Sequence, residues 1–330
     1  MNYLEKIEQL RTIISRKLTP LIPGDSILVD APYYSNIGDI LIWQGEIDFL
    51  STLSGRNLHI SSSETFTFPT LPENITILLT GGGNFGDLWR YYHEFRMKVI
   101  SHYPNNRIVM FPQSVWYDDT TLIATDNKIF SNHTDLHFCA RDNWSYNFFL
   151  QNFTSLHSDL VPDMAFFIDD SMLTPWREHP LSSRNKNMFL LRKDKELDTS
   201  IPYDINRDIY DISDWPTKER EPKRHRWLDK ISYITRNRLS SFPFLYNFIE
   251  HSVDSIADFA VRQSHLRTGL QFLSPYQNIV TTRLHALILG VLLGKEVEYI
   301  DNTTKKLSAF ADTWLSDLDS VKPYMSQHLN

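Results

Sequence analysis

Short apolar runs alternate with longer stretches of helical periodicity along this 330-residue chain, and this alternation constrains its fold more than any other feature. The apolar runs have the length of strands, and they occupy residues 26–30, 75–79, 107–111, 136–140, 160–168, 188–192, 278–282 and 297–301. Strands that alternate with helices form parallel sheets with helices on both faces. The sequence therefore predicts an α/β protein.

The length of the chain and a polar segment near its middle predict two domains. A chain of 330 residues exceeds the usual size of one compact core. Residues 169–187 are polar and read as an interdomain linker, so we predict one domain over residues 1–175 and another over 176–330. The second contains a basic insertion, residues 216–240, which is either a solvated segment or a patch that meets anionic phospholipid or a diphosphate-linked acceptor.

The single cysteine, Cys139, excludes a disulfide framework and indicates a reducing compartment. Its neighbours are apolar, which predicts a small buried side chain near the end of a strand. A catalytic thiol is the alternative.

Charge and hydropathy restrict the partners and the location of the chain. A formal net charge of −7 and a pI near 5.9 argue against a nucleic-acid binder. The N-terminus lacks the apolar core of a signal peptide, and Leu4, Ile7, Ile14 and Leu18 instead fall on one face of a helix. No apolar run approaches the ~18 residues that span a bilayer. We therefore expect a cytoplasmic protein, unless a partner holds it at the inner face of the plasma membrane.

The stretch LLTGGGNFGDLW, residues 78–89, has its glycines in the G-x-G-x-x-G spacing of a dinucleotide-binding turn. Such a turn belongs to the first strand–helix–strand unit, and an acid ends the strand that follows it. Here the glycines follow the second strand, and the third strand ends in Met110, Phe111, Pro112 and Gln113. The context argues against NAD, and we predict instead a glycine turn that shapes one wall of a cleft.

Three loops of the first half leave the carboxyl ends of predicted strands, where open α/β sheets bind their ligands. Glycines there let backbone N–H groups approach a ligand, and helix N-termini favour an anion. Asp39 and Asp87 also fit helix N-caps, while Gln113 and Ser114 fit turn chemistry as well as contacts with sugar hydroxyls. The candidate binding residues of this half are Asn36, Asp39, Gly82, Gly83, Asn84, Asp87, Gln113, Ser114 and Arg141.

The most informative stretch of the second half is TTRLHALILG, where Arg283 and His285 stand at the turn from a strand into a helix. Arginine presents a fork of donors for carboxylate or phosphate, and histidine exchanges protons near neutral pH. Arg192 ends the first strand of this half, and Lys305 or Lys306 follows the last predicted strand. Several cations around one histidine predict a site for a compact, multiply anionic small molecule.

Eight motifs together resemble the polysaccharide pyruvyl transferase family, especially members encoded with bacterial exopolysaccharide and capsule synthesis. In order along the chain they are NIGD, LLTGGGNFGDLW, VMFPQS, ARDNWSYNFF, VPDMAFF, FLLRKD, TTRLHALILG and YIDNTTKKLSAF. The likeness runs from about Asp30 to Leu315 and covers the basic segment least.

The resemblance implies a fold similar to GT-B glycosyltransferases, with two Rossmann-like domains that face a cleft. It implies phosphoenolpyruvate as the donor, without a cofactor or a metal, and a sugar hydroxyl pair as the acceptor. The R-x-H motif of the family matches Arg283 and His285, its strand-end arginine matches Arg192, and its lysine matches Lys306 better than Lys305. On this basis His285 is the hypothetical proton donor or shuttle, Arg283 and Arg192 hold the donor, and the first domain binds a saccharide carried on a lipid diphosphate.

Two other functions remain open at this point. One is a glycosyltransferase of the same architecture that uses a nucleotide sugar, for which we find no acidic or aromatic contact to a base and ribose in the second half. The other is a non-catalytic scaffold in a membrane-bound polysaccharide synthesis complex, against which Arg283 and His285 argue.

Overall fold

The computed structural model describes residues 1–34, 36–178, 186–198, 205–216 and 252–325. The predicted basic insertion, residues 216–240, lies outside the described residues apart from Pro216.

Seven parallel strands form the first sheet, and all of them lie between residues 26 and 160. The strands are β1 (Ser26–Val29), β2 (Asn57–Ile60), β3 (Thr76–Leu79), β4 (Gly82–Gly86), β5 (Ile108–Trp116), β6 (Leu136–Ala140) and β7 (His157–Leu160). Their order is β2-β1-β3-β5-β6-β7, and β4 continues the line of β3 along the long strand β5. The helices of this half are α1 (Tyr3–Leu18), α2 (Ile37–Ser51), α3 (Arg90–His102), α4 (Thr121–Phe130), α5 (Asn143–Asn152) and α6 (Asp170–Glu178).

Five parallel strands form the second sheet in the order β12-β11-β10-β8-β9. They are β8 (Asn187–Leu190), β9 (Tyr210–Ser213), β10 (Asn278–Thr281), β11 (Glu296–Tyr299) and β12 (Val321–Pro323). This half also contains helices α7 (Gln263–Leu273), α8 (Leu284–Leu292) and α9 (Lys306–Trp314), and a π-helical turn, Asp258–Arg262, precedes α7.

Counted from its own first strand, the second sheet has the order 2-1-3-4-5, and the first sheet has the order 2-1-3-4-5-6 when β4, which continues the line of β3, is left out. This is the order of flavodoxin-like sheets and differs from the 3-2-1-4-5-6 order of dinucleotide-binding sheets. The switch points, where such sheets bind ligands, lie between β1 and β3 and between β8 and β10. Parallel register places the ends of these pairs side by side, Val29 beside Leu79 and Leu190 beside Thr281.

One apolar core connects the two sheets. It contains Leu28 and Val109 from the first sheet together with Leu190 and Ile279 from the second. Helix α2 lies at its centre, and eleven of its fifteen residues are buried, as expected of a helix that is apolar on nearly all sides. The prediction of an α/β fold with parallel sheets is therefore confirmed, while the domain boundary at residue 175 stays a prediction.

Three local predictions differ from the structure. Leu4 is 44% exposed, because the buried face of α1 is centred on Ile7, Leu10 and Ile14 and Leu4 lies beyond its edge. The predicted strand 160–168 is instead the end of β7 followed by a 3-10 turn, Met164–Phe167, which the Asp163 side chain caps. The predicted linker 169–187 contains α6.

The glycine stretch is a strand and not the turn that its spacing predicts. Strand β4 pairs in parallel with the end of β5, with Gly82 opposite Gln113 and Gly86 opposite Trp116. Gly86 has φ 107°, and a Cβ there would lie 1.8 Å from the carbonyl oxygen of Trp116. Glycine is required at this position because the two backbones approach so closely.

Cys139 is fully buried in β6, and burial raises the pKa of its thiol, which fits a small core side chain and not a reactive one. Within the described part of the chain, the helices are each too short or too polar to cross a bilayer.

Candidate active site

A cavity of about 590 Å³ lies where the strand-end loops of the two sheets meet. The loops after β1 and β4 line one side, and the loops after β8, β9, β10 and β11 line the other. Nine of the sequence-predicted residues line it: Asn36, Asp39, Gly83, Asn84, Arg141, Arg192, Arg283, His285 and Lys306. The switch points of both sheets therefore contribute to one cavity.

His285 is the second residue of α8, and its ring lies beside a buried ion pair. The Nε2 atom is 3.3 Å from Oδ2 of Asp163 and 3.5 Å from Nη1 of Arg141, which itself donates to Asp163 over 2.8 Å. Burial favours the neutral acid of Asp163, but contacts with His285 and Arg141 lower the pKa of this carboxyl below its ordinary value. An ionised Asp163 orients the imidazole.

The other edge of the His285 ring packs against the first turn of α2. A Cβ at Gly38 would lie 2.5 Å from Nδ1 of His285, so only glycine leaves the ring in its place. Asn36 caps this helix through the N–H of Gly38 and donates to Oδ2 of Asp39 over 2.7 Å. The N-cap is therefore Asn36 and not Asp39, whose carboxyl faces the cavity and whose pKa is raised by burial against the influence of His285.

Arg192 and Arg283 share a carboxylate. Nε and Nη2 of Arg192 donate to Asp194 over 2.8 Å and 3.1 Å, and Nη2 of Arg283 donates to the same group over 3.0 Å. Arg283 also donates from Nη2 to Asp214 over 2.7 Å. Although burial opposes it, contact with the two arginines lowers the pKa of Asp194.

Lys306, and not Lys305, contributes the lysine. Lys305 is exposed with φ 51°, whereas Lys306 begins α9 and its Nζ is 3.2 Å from Oε2 of Glu196. Burial lowers the pKa of Lys306, although Glu196 opposes the shift. Gly83 leaves room for the ammonium group, because a Cβ there would lie 3.1 Å from Nζ.

Each of these cations is thus paired with a carboxylate inside the cavity. Arg141 is held by Asp163, Arg192 by Asp194 and Glu196, Arg283 by Asp194 and Asp214, and Lys306 by Glu196. An anionic ligand must replace these partners or share the cations with them. Since arginine can bind a carboxylate and an anion at the same time through its five N–H groups, the site suits a small molecule with two anionic groups.

Four predicted residues do not line the cavity. Gly82 lies against Asp39 and Ile42 within β4. Asp87 accepts hydrogen bonds from the backbone of Asp118 and Asp119 and caps no helix, since α3 begins after Trp89 without a side-chain cap.

The remaining two support other side chains. Gln113 is fully buried, accepts from Arg96 over 3.0 Å and donates to the carbonyl of Thr80. Ser114 accepts from Nε of Arg141 over 2.8 Å and donates to Asp142, so it positions an arginine of the cavity instead of a sugar.

Sequence reasoning missed two groups of residues in or beside the cavity. The carboxylates Asp163, Asp194, Glu196 and Asp214 pair with the predicted cations, and the motifs VPD and RKDKE place three of them directly after strand-forming runs. The aromatic residues Tyr34, Trp89 and Tyr92 line the side built from the first sheet. Within the described residues, no group of His, Cys, Asp or Glu is arranged to hold a metal ion.

Known proteins resemble this chain in sequence and in fold. A sequence model of the polysaccharide pyruvyl transferase family matches residues 36–303. The chain is 30% identical to EpsO of Bacillus subtilis strain 168, named as a pyruvyl transferase, over 92% of this chain and 90% of that protein. It is 25% identical to pyruvyl transferase 1 of Schizosaccharomyces pombe, over 87% of this chain and 69% of that protein. The crystal structure of an uncharacterised Klebsiella pneumoniae protein shares the fold, with a TM-score of 0.58, 16% identity, and coverage of 96% of this chain and 99% of that chain.

Proposed function

Because this chain belongs to the polysaccharide pyruvyl transferase family, and is therefore a transferase, we propose that it moves the carboxyethylidene group of phosphoenolpyruvate onto two hydroxyls of a sugar. The sugar belongs to a bacterial polysaccharide or to its lipid-linked precursor. The observation that carries the proposal is the convergence of Arg192, Arg283 and Lys306 on the cavity that contains His285.

The proposed donor matches this set of charges. Phosphoenolpyruvate carries a carboxylate and a phosphate on the same central carbon, and each suits an arginine fork or an ammonium group. We assign Arg192, Arg283 and Lys306 to these two anionic groups. The arginines would also stabilise the phosphate as it departs, because charge develops on its bridging oxygen.

The reaction balances without a cofactor. One sugar hydroxyl adds to the central carbon of the donor as the methylene carbon gains a proton, which converts the methylene into a methyl group. The bond to phosphate then breaks, the second hydroxyl bonds to the same carbon, and a cyclic ketal and inorganic phosphate result. The two sugar hydroxyls release two protons. One balances the proton that the methylene carbon gains, and the other leaves with phosphate or solvent.

His285 is the proposed proton donor to the methylene carbon. Its Nε2 faces the ionised Asp163, which holds the ring and stabilises the imidazolium before the proton is transferred. Asp163 therefore acts as a positioning residue, because it holds the His285 ring at the cavity.

The proposed arrangement places the donor on the second sheet and the acceptor on the first, as in a GT-B-like enzyme with domains 1–175 and 176–330. We further propose that the acceptor is carried on a lipid diphosphate and that the protein works at the inner face of the plasma membrane. The basic sequence 216–240 supports this location through attraction to anionic headgroups.

Binding of phosphoenolpyruvate is the first test. A ligand at about 100 times its Kd stabilises the native state by about 2.7 kcal/mol, which raises the Tm of a chain of this size by several degrees. Pyruvate lacks the phosphate and inorganic phosphate lacks the carboxylate, so each should stabilise the protein less than the complete donor. With an acceptor glycan present, phosphoenolpyruvate should release phosphate. Stabilisation by a nucleotide sugar with release of a nucleotide, and no response to phosphoenolpyruvate, would instead favour the glycosyltransferase.

Replacement of Asp194 by asparagine should strengthen donor binding. The Asp194 carboxylate occupies N–H groups of both Arg192 and Arg283 that the donor needs, and asparagine keeps the size of the side chain without the competing charge. We expect the Kd for phosphoenolpyruvate in calorimetric titration to fall about 3- to 10-fold. Asp208→Asn, an exposed substitution outside the cavity, is the matched control. A higher Kd in Asp194→Asn would show that Asp194 orients the arginines instead of competing for them.

A further inference from the structure

Three aromatic side chains line the cavity wall built from the first sheet. Tyr34 lies in the loop after β1, and Trp89 and Tyr92 lie at the start of α3, three residues apart. The ring centroids of Tyr34 and Tyr92 are 5.4 Å apart at an interplanar angle of 42°. These side chains are not needed by the donor, whose anionic groups belong with the cations on the opposite wall.

Polar side chains on the same wall supply hydrogen-bonding groups beside these rings. Asn36, Asp39 and Asn84 line the cavity next to them, and Nδ2 of Asn84 lies 3.4 Å from the Tyr34 hydroxyl. Burial raises the pKa of Tyr34 and of Tyr92, which keeps both phenols protonated and able to donate. A site for a small polar molecule with one apolar face combines apolar surfaces with a few precisely placed polar groups. This wall has that composition.

The charges of the wall restrict the ligand further. Among the described lining residues of the first half, Asp39 and Arg141 carry a formal charge, and Arg141 is 2% exposed and held by Asp163 over 2.8 Å. Lys195 reaches this wall from the loop after β8, but its ammonium group is held over the Trp89 ring at 4.1 Å from the centroid and by the carbonyl of Leu88. The described cations at this wall, Arg141 and Lys195, are therefore both already held by partners.

We propose that Tyr34, Trp89 and Tyr92 form the acceptor subsite and that this subsite selects an uncharged pyranose over an acidic sugar. The C–H face of a pyranose stacks on aromatic rings, while its hydroxyls bond to Asn36, Asp39 and Asn84. The reacting hydroxyls then point across the cavity toward His285, where the donor is bound. This inference rests on the proposed function, because it takes the acceptor to be a sugar.

Position along the wall supports the choice of these residues over other exposed aromatics. Trp89 is 36% exposed and opens to the cavity, whereas the more exposed Trp144 and Tyr91 do not line it. Trp144 is therefore the control for Trp89. Tyr91, which lies on the same helix as Tyr92, is the control for Tyr92.

Binding of methyl β-glucoside, methyl β-galactoside and methyl β-glucuronide, followed by saturation-transfer NMR, tests the inference. The wild-type protein should bind at least one of the two uncharged glycosides about tenfold more tightly than the glucuronide. Trp89→Ala and Tyr92→Ala should each weaken that binding by about tenfold, and Trp144→Ala and Tyr91→Ala should change it by less than about twofold. Stabilisation by phosphoenolpyruvate should be the same in all five proteins.

The outcomes distinguish a failure of the proposed subsite from a failure of the proposed donor. The inference is overturned if neither uncharged glycoside binds, if the glucuronide binds as tightly, or if the cavity variants match the surface controls while phosphoenolpyruvate still stabilises them. Absence of stabilisation by phosphoenolpyruvate in the wild-type protein would instead contradict the proposed donor, whatever the glycosides do.

Discussion

His285→Ala should lower the rate of pyruvyl transfer by about 10²–10⁴-fold while the protein stays folded, since this is the usual contribution of a placed general acid. The ring is the proton-exchanging group that the structure brings to the cavity beside Asp163 and Arg141. Alanine removes the proton donor but leaves Arg192, Arg283 and Lys306 in place. Donor binding should therefore change little, and the loss should appear in kcat.

The measurement compares steady-state release of phosphate with the thermal shift produced by phosphoenolpyruvate. His285→Asn, which is polar but cannot carry a proton at this position, should be as inactive as His285→Ala. His102→Ala, an exposed histidine outside the cavity, should behave as the wild type. Near-normal turnover in either His285 variant would defeat the assignment of this residue.

Asp163 is a less suitable target for the same question. Its carboxylate is 1% exposed and neutralises Arg141, and removal of one partner of a buried ion pair commonly costs about 3–5 kcal/mol. Loss of activity in Asp163→Asn would therefore combine a catalytic effect with loss of stability. His285 separates the two effects because it is the partner closer to the cavity.

Gly38→Ala should reduce activity by about 100-fold, although Gly38 itself has no reactive group. The added Cβ would lie 2.5 Å from Nδ1 of His285, so the ring or the first turn of α2 must move. A displacement of about 1 Å at a reacting group is enough for a loss of this size. Overpacking costs about 1–3 kcal/mol, and the better helix propensity of alanine offsets up to about 1 kcal/mol of it, so the variant should remain folded.

The control for this prediction is Gly24→Ala, because a Cβ at Gly24 meets no other atom within 4 Å. Phosphate release should distinguish the two alanines, whereas donor-induced stabilisation should be similar in both. Equal activity in the two variants would mean that the position of the His285 ring is not required for transfer.

The convergence of Arg192, Arg283, His285 and Lys306 was predictable from the sequence for a physical reason. In parallel sheets the carboxyl ends of all strands lie at one edge, so residues that directly follow apolar runs meet there whatever their separation along the chain. The choice between Lys305 and Lys306 needed the structure, because adjacent residues differ in direction and the turn into α9 decides which of them is buried.

The pairing of charges could not be predicted in the same way. Asp163 and His285 are 122 positions apart, and their contact depends on how α8 packs against α2 and the 3-10 turn after β7. For Gln113, the sequence predicts a ligand contact that the structure does not show. It follows a strand as a ligand-binding residue would, yet the buried guanidinium of Arg96 uses its side-chain oxygen.

The glycine stretch shows where a spacing rule fails. Gly81, Gly83 and Gly86 fit a phosphate-binding turn by spacing, but β5 is nine residues long and offers backbone partners beyond the end of β3. The chain therefore continues as β4, and its glycines serve the close approach of Trp116 and of Lys306. Spacing alone contains no information about the length of the neighbouring strand.

The ion pairs of the cavity have a consequence for turnover. Because Asp194, Asp214 and Glu196 already neutralise the arginines and the lysine, the site exerts little long-range attraction on inorganic phosphate and other simple anions. In the proposed reaction, cleavage of the donor leaves phosphate with only one of its two anionic anchors, in competition with carboxylates that are tethered to the protein. We therefore propose that these carboxylates displace the phosphate as they return to the cations, and so prepare the site for the next turnover.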